Sequence, residues 1–341
     1  MESKKVRVLI VDDSALIRSI LEQVLPLNND TLEIAGMASN GQDAIRLNRE
    51  LEPDLITMDI DMPVMNGIES VKHIMSDRPT PIIVVSGSVY TENSFQALEN
   101  GALEVMNKPE ITDFNDPGFY KPLQEKLIRL SQIDVRKKWQ PSEGEVVSVT
   151  RSSGERCAMI VLGVSTGGPA AVTQVLTRLP ADFPVGITLV QHIEAGFGAG
   201  YTKWLDPLCK LKVREATHGD TISPGEIVIS PDSKHILFEN GKLNLSDGEE
   251  VLNQKPSVNV LFKSAAKAFG NRLIGVLLTG MGTDGAEGCR KIVDQGGYTI
   301  VQNEATSTVF GMPKAAIELG GASVVLPLNE ISQALIDIVT K

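Results

Sequence analysis

The stretch Val6-Arg7-Val8-Leu9-Ile10-Val11-Asp12-Asp13 is a β-branched run that stops at two carboxylates. A nearly continuous apolar run of this length suits a strand buried on both faces, and such strands belong to parallel sheets covered by helices. Working outward, similar runs recur at Leu32–Ala38, Leu55–Met58, Pro81–Val85 and Leu103–Met106, with amphipathic stretches of helical length between them. Five strands interleaved with five helices predict a doubly wound, five-stranded parallel sheet of flavodoxin-like type. Phe119–Lys138, with Leu123, Leu127, Ile128 and Leu130 among charged residues, is predicted to be the last helix covering it. Between Trp139 and Arg156 the chain turns polar and rich in Ser, Glu and Gly, which reads as a linker.

A second series of apolar runs follows at Cys157–Val164, Val185–Gln191, Leu273–Leu278, Tyr298–Val301 and Ser323–Leu326, again with helical patterns between. Near its middle, Ile227–Ile229 and His235–Phe238 lead through Asn240-Gly241 into Leu243–Leu245, and Asn-Gly between alternating runs predicts an antiparallel hairpin. The second domain is therefore expected to be a mostly parallel α/β sheet with an antiparallel excursion. The division expected is residues 1–130 for the first domain, 131–156 for the helix end and linker, and 157–341 for the second domain.

A length of 341 residues agrees with two domains at roughly 100–200 residues each. The net charge of -11, from 43 acidic and 32 basic residues, provides no basic field for nucleic acid or anionic lipid. The longest apolar run, near Leu273–Leu278, falls far short of the roughly 20 residues of a membrane span, and Met1–Lys5 lacks the apolar segment of a secretion signal. A cytoplasmic protein without membrane insertion is expected. Cys157, Cys209 and Cys289 are widely separated, which points to three buried thiols rather than a zinc site or disulfide framework.

Asp12 and Asp13 end the first strand, Asp59 the third and Ser86 the fourth, while Lys108 follows the fifth. In an open parallel sheet all carboxyl ends lie along one edge, so these side chains should converge. Three converging carboxylates repel one another, and a hard divalent ion such as Mg²⁺ relieves the repulsion. A plainer reading of a single Asp, such as Asp13 before Ser14, is a helix cap. Taken together, the set resembles the receiver domain of two-component response regulators. That resemblance implies Asp59 as phosphoacceptor, Asp12 and Asp13 with Asp59 as metal ligands, Ser86 as the switch hydroxyl and Lys108 as the phosphate-sensing lysine.

In the second domain, Gly163-Val164-Ser165-Thr166-Gly167 sits at a strand-to-helix turn and has the spacing of a nucleophile elbow. A phosphate-cradling loop is the competing reading, but no complete three-glycine fingerprint supports it. His192 follows the strand ending at Gln191, and Asp284 lies in the glycine-rich loop Thr279–Gly285 after another strand, so Ser165, His192 and Asp284 are expected at one sheet edge. Histidines His218 and His235 fall in the hairpin region, off that edge. Asp284 also reads as a cap for a helix starting at Ala286. The chain order Ser, His, Asp differs from the order in α/β-hydrolases.

Gly163–Pro169, Gln191-His192, Lys255–Phe262, Leu278–Gly285 and Val309–Pro313 together resemble the catalytic domain of chemotaxis protein-glutamate methylesterases. With the receiver in front, the resemblance spans nearly the whole chain. It implies hydrolysis of glutamate methyl esters on chemoreceptors to glutamate and methanol, with deamidation of receptor glutamines as a second activity, in chemotaxis adaptation. The implied catalytic residues are Ser165, His192 and Asp284, with the Met281 N–H and the helix start after Ser165 as oxyanion donors and no metal in the ester step. Implied partners are methylated chemoreceptors as substrate and a chemotaxis histidine kinase as phosphodonor. Receiver phosphorylation, with Mg²⁺, is expected to activate the esterase by uncovering its cleft. Ile193-Glu194 and Lys255 depart from the residues common in that family and bear on receptor preference. A DNA-binding response regulator is disfavoured by the size and α/β pattern of the second domain, and a non-catalytic adaptor by the complete triad.

Overall fold

The computed structural model describes residues 4–87, 92–108, 117–136 and 156–340. The chain divides into two compact units, residues 1–137 and 138–341. The expected linker from Trp139 lies outside the described residues except for Arg156.

The first unit alternates β1 (Val6–Val11), α1 (Ala15–Val24), β2 (Leu32–Ala38), α2 (Gly41–Leu51), β3 (Leu55–Met58), α3 (Gly67–Asp77), β4 (Ile82–Ser86), α4 (Glu92–Glu99), β5 (Glu104–Asn107) and α5 (Pro117–Ser131). Its five strands are parallel in the order β2-β1-β3-β4-β5. Strands β3 and β4 are buried at every position, as sheets covered on both faces require. Helix starts are set locally: Asn40 accepts the Asp43 N–H at 3.0 Å, and Asn66 accepts the Glu69 N–H at 2.9 Å. Strands β4 and β5 each begin one residue later than the apolar runs suggested. Their ladder pairs Ser86 with Asn107, so Ser86 is the last residue of β4. Helix α5 stops at Ser131, short of Lys138. The cap of α1 is Ser14, not Asp13.

The second unit comprises β6 (Met159–Val164), α6 (Gly168–Leu176), β7 (Ile187–Gln191), α7 (Gly198–Leu205), β8 (Lys212–Glu215), β9 (Glu226–Ile229), β10 (His235–Glu239) and β11 (Lys242–Ser246). It continues with α8 (Val258–Phe269), β12 (Leu273–Leu277), α9 (Ala286–Asp294), β13 (Tyr298–Gln302), α10 (Met312–Glu318), β14 (Val324–Leu326) and α11 (Leu328–Thr340). Seven strands form one parallel sheet in the order β14-β13-β12-β6-β7-β9-β8. The hairpin β10-β11 stands as a separate two-stranded sheet, turning at Asn240 (φ 51°) and Gly241 (φ 75°). Both turn residues are left-handed, as a type I′ turn needs. Ile227–Ile229 belongs to the parallel sheet and not to this excursion. Strand β8 was not anticipated, because Lys-Val-Arg-Glu carries a single apolar residue and lies at the sheet edge. Helix α8 packs through Val258, Leu261, Phe262 and Ala265, the i, i+3, i+4, i+7 stripe of a helix on a sheet.

Order in this sheet places the loops. Strand β6 lies between β12 and β7; the chain passes from β6 to the β7 side and later crosses to β12 on the other, so the carboxyl ends of β6 and β12 mark a topological switch point. Open parallel sheets bind ligands at such a point.

Candidate active site and acidic pocket

Ser165 and His192 each follow directly on neighbouring strands. Val164 pairs with Gln191 in the parallel ladder, and the His192 N–H donates to the Val164 carbonyl at 2.9 Å. The next ladder position therefore brings Ser165 alongside His192. Gln191 reinforces that register: its Nε2 donates to the Ser165 carbonyl at 3.1 Å and the His192 carbonyl at 2.8 Å. The Ser165 N–H donates to Thr279 on the other neighbouring strand end at 3.0 Å. Gly280 permits the close approach there, since a Cβ at that position would lie 2.8 Å from Ser165 Cβ and 2.3 Å from Met312 Sδ.

Asp284 completes the arrangement from the loop after β12. Its Oδ2 lies 2.9 Å from His192 Nε2, and both side chains are buried, at 3% and 6% exposed. The other imidazole nitrogen, Nδ1, is buried and has no hydrogen-bond partner among the described residues. A carboxylate only accepts, so the neutral ring carries its proton on Nε2 and a lone pair on Nδ1. The Ser165 hydroxyl makes no hydrogen bond to His192 in this arrangement. Catalytic bonds of this kind often close only around substrate.

Asp284 does not cap the helix that follows it. Helix α9 has Gly285 at its N-cap with no side-chain cap, while Asp284 turns to the N-terminus of α8. There Oδ1 accepts from Ser257 Oγ (2.9 Å), the Asn259 N–H (3.0 Å) and the Gly285 N–H (3.0 Å), and Oδ2 accepts from the Val258 N–H (2.7 Å). Burial pushes its carboxyl up, but His192 and the Asn259 and Val258 N–H groups outweigh this and hold it below the ordinary carboxylate range. It stays ionised.

Two backbone donors near Ser165 remain uncommitted: the N–H groups of Met281 and Gly167 have no acceptor among the described residues. The Gly168 N–H, by contrast, is turned onto the Ser165 carbonyl at 2.8 Å. Burial pushes the Cys209 thiol up to about 12 and raises Cys289 as well, so neither offers a competing nucleophile. Cys289 is buried, whereas Cys157 and Cys209 are only half-buried, so the expectation of three buried thiols held for one.

In the first unit, Asp12, Asp59, Ser86 and Lys108 do gather at the carboxyl ends of β1, β3, β4 and β5. Lys108 Nζ lies 2.9 Å from Asp12 Oδ2 and 2.8 Å from Asp59 Oδ2. Carboxylate oxygens of Asp12, Asp13 and Asp59 lie within 4.8 Å of one another. Three carboxylates against one ammonium leave the pocket strongly negative, and an all-oxygen donor set with one exposed member fits a hard divalent cation that keeps waters. Burial, aided by the Asp12 charge, raises the Asp59 carboxyl above its ordinary value despite Lys108 and the Ile60 N–H. Burial pulls Lys108 down, but Asp59 and Asp12 more than offset it and hold the ammonium above its ordinary value.

Residues 160–335 match the CheB methylesterase family, and residues 8–114 match the response regulator receiver domain family. The chain belongs to the CheB methylesterase family. It is 42% identical over 97% of its length, and 96% of the relative, to a protein-glutamate methylesterase/protein-glutamine glutaminase 2 of Anaeromyxobacter dehalogenans. A protein-glutamate methylesterase/protein-glutamine glutaminase 1 of Syntrophus aciditrophicus is 38% identical, over 97% of each chain. The catalytic domain of the Thermotoga maritima CheB methylesterase aligns with a TM-score of 0.51 at 37% identity, covering 53% of this chain and 98% of that one. The family architecture of a receiver joined to a methylesterase domain is thus the architecture of this chain. Gln191, Ser257 and Thr279 lie within the blocks that carry the family resemblance, but no sequence pattern assigns them a role. Their contacts join loops far apart in sequence.

Proposed function

We propose that this chain is a phosphorylation-activated protein-glutamate methylesterase and protein-glutamine glutaminase of the cytoplasm that acts on methylated chemoreceptors in chemotaxis adaptation. The observation that carries the reading is the His192–Asp284 pair at 2.9 Å, with the free, buried Nδ1 of His192 at the ladder position next to Ser165. Ser165 Oγ attacks the ester carbonyl carbon as its proton passes to His192 Nδ1, and the tetrahedral oxyanion turns to the Met281 and Gly167 N–H groups. His192 returns the proton to the departing methoxide, which leaves as methanol. Water, deprotonated by His192, then attacks the glutamyl ester, and as its bond to Ser165 Oγ breaks His192 returns the proton to that oxygen and glutamate is freed. Asp284 stabilises the imidazolium in both halves. An amide in place of the ester loses ammonia by the same steps, which accounts for deamidation.

In the receiver, Asp59 is the phosphoacceptor, its carboxylate attacking the phosphorus of a phosphohistidine on a chemotaxis histidine kinase as the P–N bond breaks and the kinase imidazole leaves. Asp12, Asp13 and Asp59 would hold Mg²⁺, which supplies neutralising charge for the phosphoryl oxygens. Lys108 and Ser86 meet those oxygens once Asp59 is modified. Among the described residues no helix is long and apolar enough to cross a membrane, and the receptor's cytoplasmic helices are the substrate surface in this reading. Methanol release from methylated receptor, with and without a small phosphodonor and Mg²⁺, tests it. Release that depends on Ser165 and rises with the phosphodonor supports the reading, and a folded Ser165→Ala protein with full release refutes it.

A further inference from the structure

We propose that His235 is a positioning residue for the esterase centre, acting through the N-terminus of α8; the kinetic part of this inference rests on the function proposed above. His235 lies at the start of β10, far in sequence from the triad and only 3% exposed. Its Nδ1 lies 3.1 Å from the backbone nitrogen of Ser257, and its Nε2 lies 2.9 Å from the Glu249 carbonyl. The two partners fix the tautomer. A backbone N–H can only donate and a carbonyl can only accept, so His235 is a neutral imidazole with its proton on Nε2.

Ser257 is the N-cap of α8, and its own Oγ donates to Asp284 Oδ1 at 2.9 Å. The next two N–H groups, of Val258 and Asn259, complete the cradle of the Asp284 carboxylate. A continuous series of hydrogen bonds therefore runs from Glu249 through His235, Ser257 and Asp284 to His192. Within it, Asp284 takes the Val258 and Asn259 N–H groups and Ser257 Oγ takes that of Val260, while His235 takes that of Ser257 itself and so sets the height of the helix terminus against the carboxylate. Loss of that acceptor leaves the Ser257 N–H unsatisfied in a buried setting, which the helix start relieves by shifting. A shift there is passed directly to the Asp284–His192 bond and leaves the substrate-facing surface untouched.

The acceptor and the donor of His235 can be removed separately in the full chain. His235→Asn places a carbonyl oxygen near the Nδ1 position and keeps the bond to Ser257. His235→Gln reaches the Nε2 position and keeps the bond to Glu249 alone. The proposal expects His235→Asn to stay within about threefold of the parent, and His235→Gln to lose roughly tenfold in kcat at unchanged KM. A substrate-independent readout is the ring proton shared by His192 and Asp284, followed in protein labelled with ¹⁵N-histidine, where only four histidines contribute. That resonance should persist in His235→Asn and move or broaden in His235→Gln. The opposite ranking would show that the Glu249 loop contact is what matters, and equal activity with an unmoved resonance in both would show that His235 only fills space. Either result overturns the proposal. If the parent chain releases no methanol, the functional reading fails, while the resonance still decides the role of His235.

Discussion

Replacing Asp284 by Asn tests the triad at its most constrained member, because the substitution changes one atom and no volume. The sequence alone suggests that this variant keeps more residual activity than a change at Ser165 or His192, with orientation degraded but not abolished. The geometry argues otherwise. If the amide oxygen occupies the Oδ1 position, it keeps the bonds to Ser257 Oγ, Asn259 and Gly285. The NH₂ group then faces two donors, the Val258 N–H and the His192 Nε2–H. His192 can escape that clash only by moving its proton to Nδ1, where the proposed mechanism needs the lone pair to deprotonate Ser165. A wrong-tautomer change of this kind in a serine-protease triad costs roughly 10⁴-fold, about 5 kcal/mol of activation free energy. The Val258 N–H left unsatisfied costs a further ~1–3 kcal/mol of stability. Methanol-release kinetics paired with thermal melting by circular dichroism separate the two effects. A folded Asp284→Asn protein that keeps more than about a hundredth of the parental kcat would refute the tautomer argument.

Gly280→Ala should lower kcat by more than roughly tenfold in a folded protein, since the added methyl meets Ser165 Cβ and Met312 Sδ well inside contact distance; unchanged kinetics would mean that the loop has slack the packing does not show. Asp284 and Asp59 have opposite pH signatures. Asp284 is held below its ordinary value, so its stabilisation is complete above the unfolded carboxyl range, roughly pH 4, and drains as pH falls through the lower folded value. Asp59 is raised, so it favours folding below that range, and the benefit is lost as pH rises through its folded value. Asp59→Asn should therefore raise the melting temperature of the receiver transition at pH 7, and an unchanged or lower value at that pH would contradict it. Added Mg²⁺ should raise the same transition in the parent and much less in Asp12→Asn, as calorimetry would read. A phosphodonor with Mg²⁺ should increase methanol release by the parent and leave Asp59→Asn at its basal rate; a rise that survives the substitution would remove Asp59 as phosphoacceptor.

Much of this is legible in the sequence. Unbroken β-branched runs such as Val6–Val11 specify buried parallel strands, and parallel order alone sends every strand's carboxyl end to one edge. Asp12, Asp59, Ser86 and Lys108, and equally Ser165 and His192, could be placed together on that ground, because the rule needs only strand ends and no contact map. Asn240-Gly241 fixed the hairpin through a backbone preference of two residues. Local signals failed where local pattern was thin. Lys212–Glu215 forms an edge strand on one apolar residue and the pairing of its neighbour β9, which no periodicity announces.

Tertiary structure decided what the strand ends do to one another. Asp284 looks like a cap for the helix beside it, yet it serves the N-terminus of α8, because the fold lays that terminus against the loop and offers more N–H groups than α9 does. The same packing brings His235 from a hairpin that pattern alone placed away from the sheet edge. Gln191 spans two carbonyls that become neighbours only once β6 and β7 pair. Residue types and spacing determine which chemistry is available, since they are carried by single positions. Which nitrogen of His192 holds the proton depends on hydrogen bonds between segments about ninety positions apart, and only the folded chain brings those together.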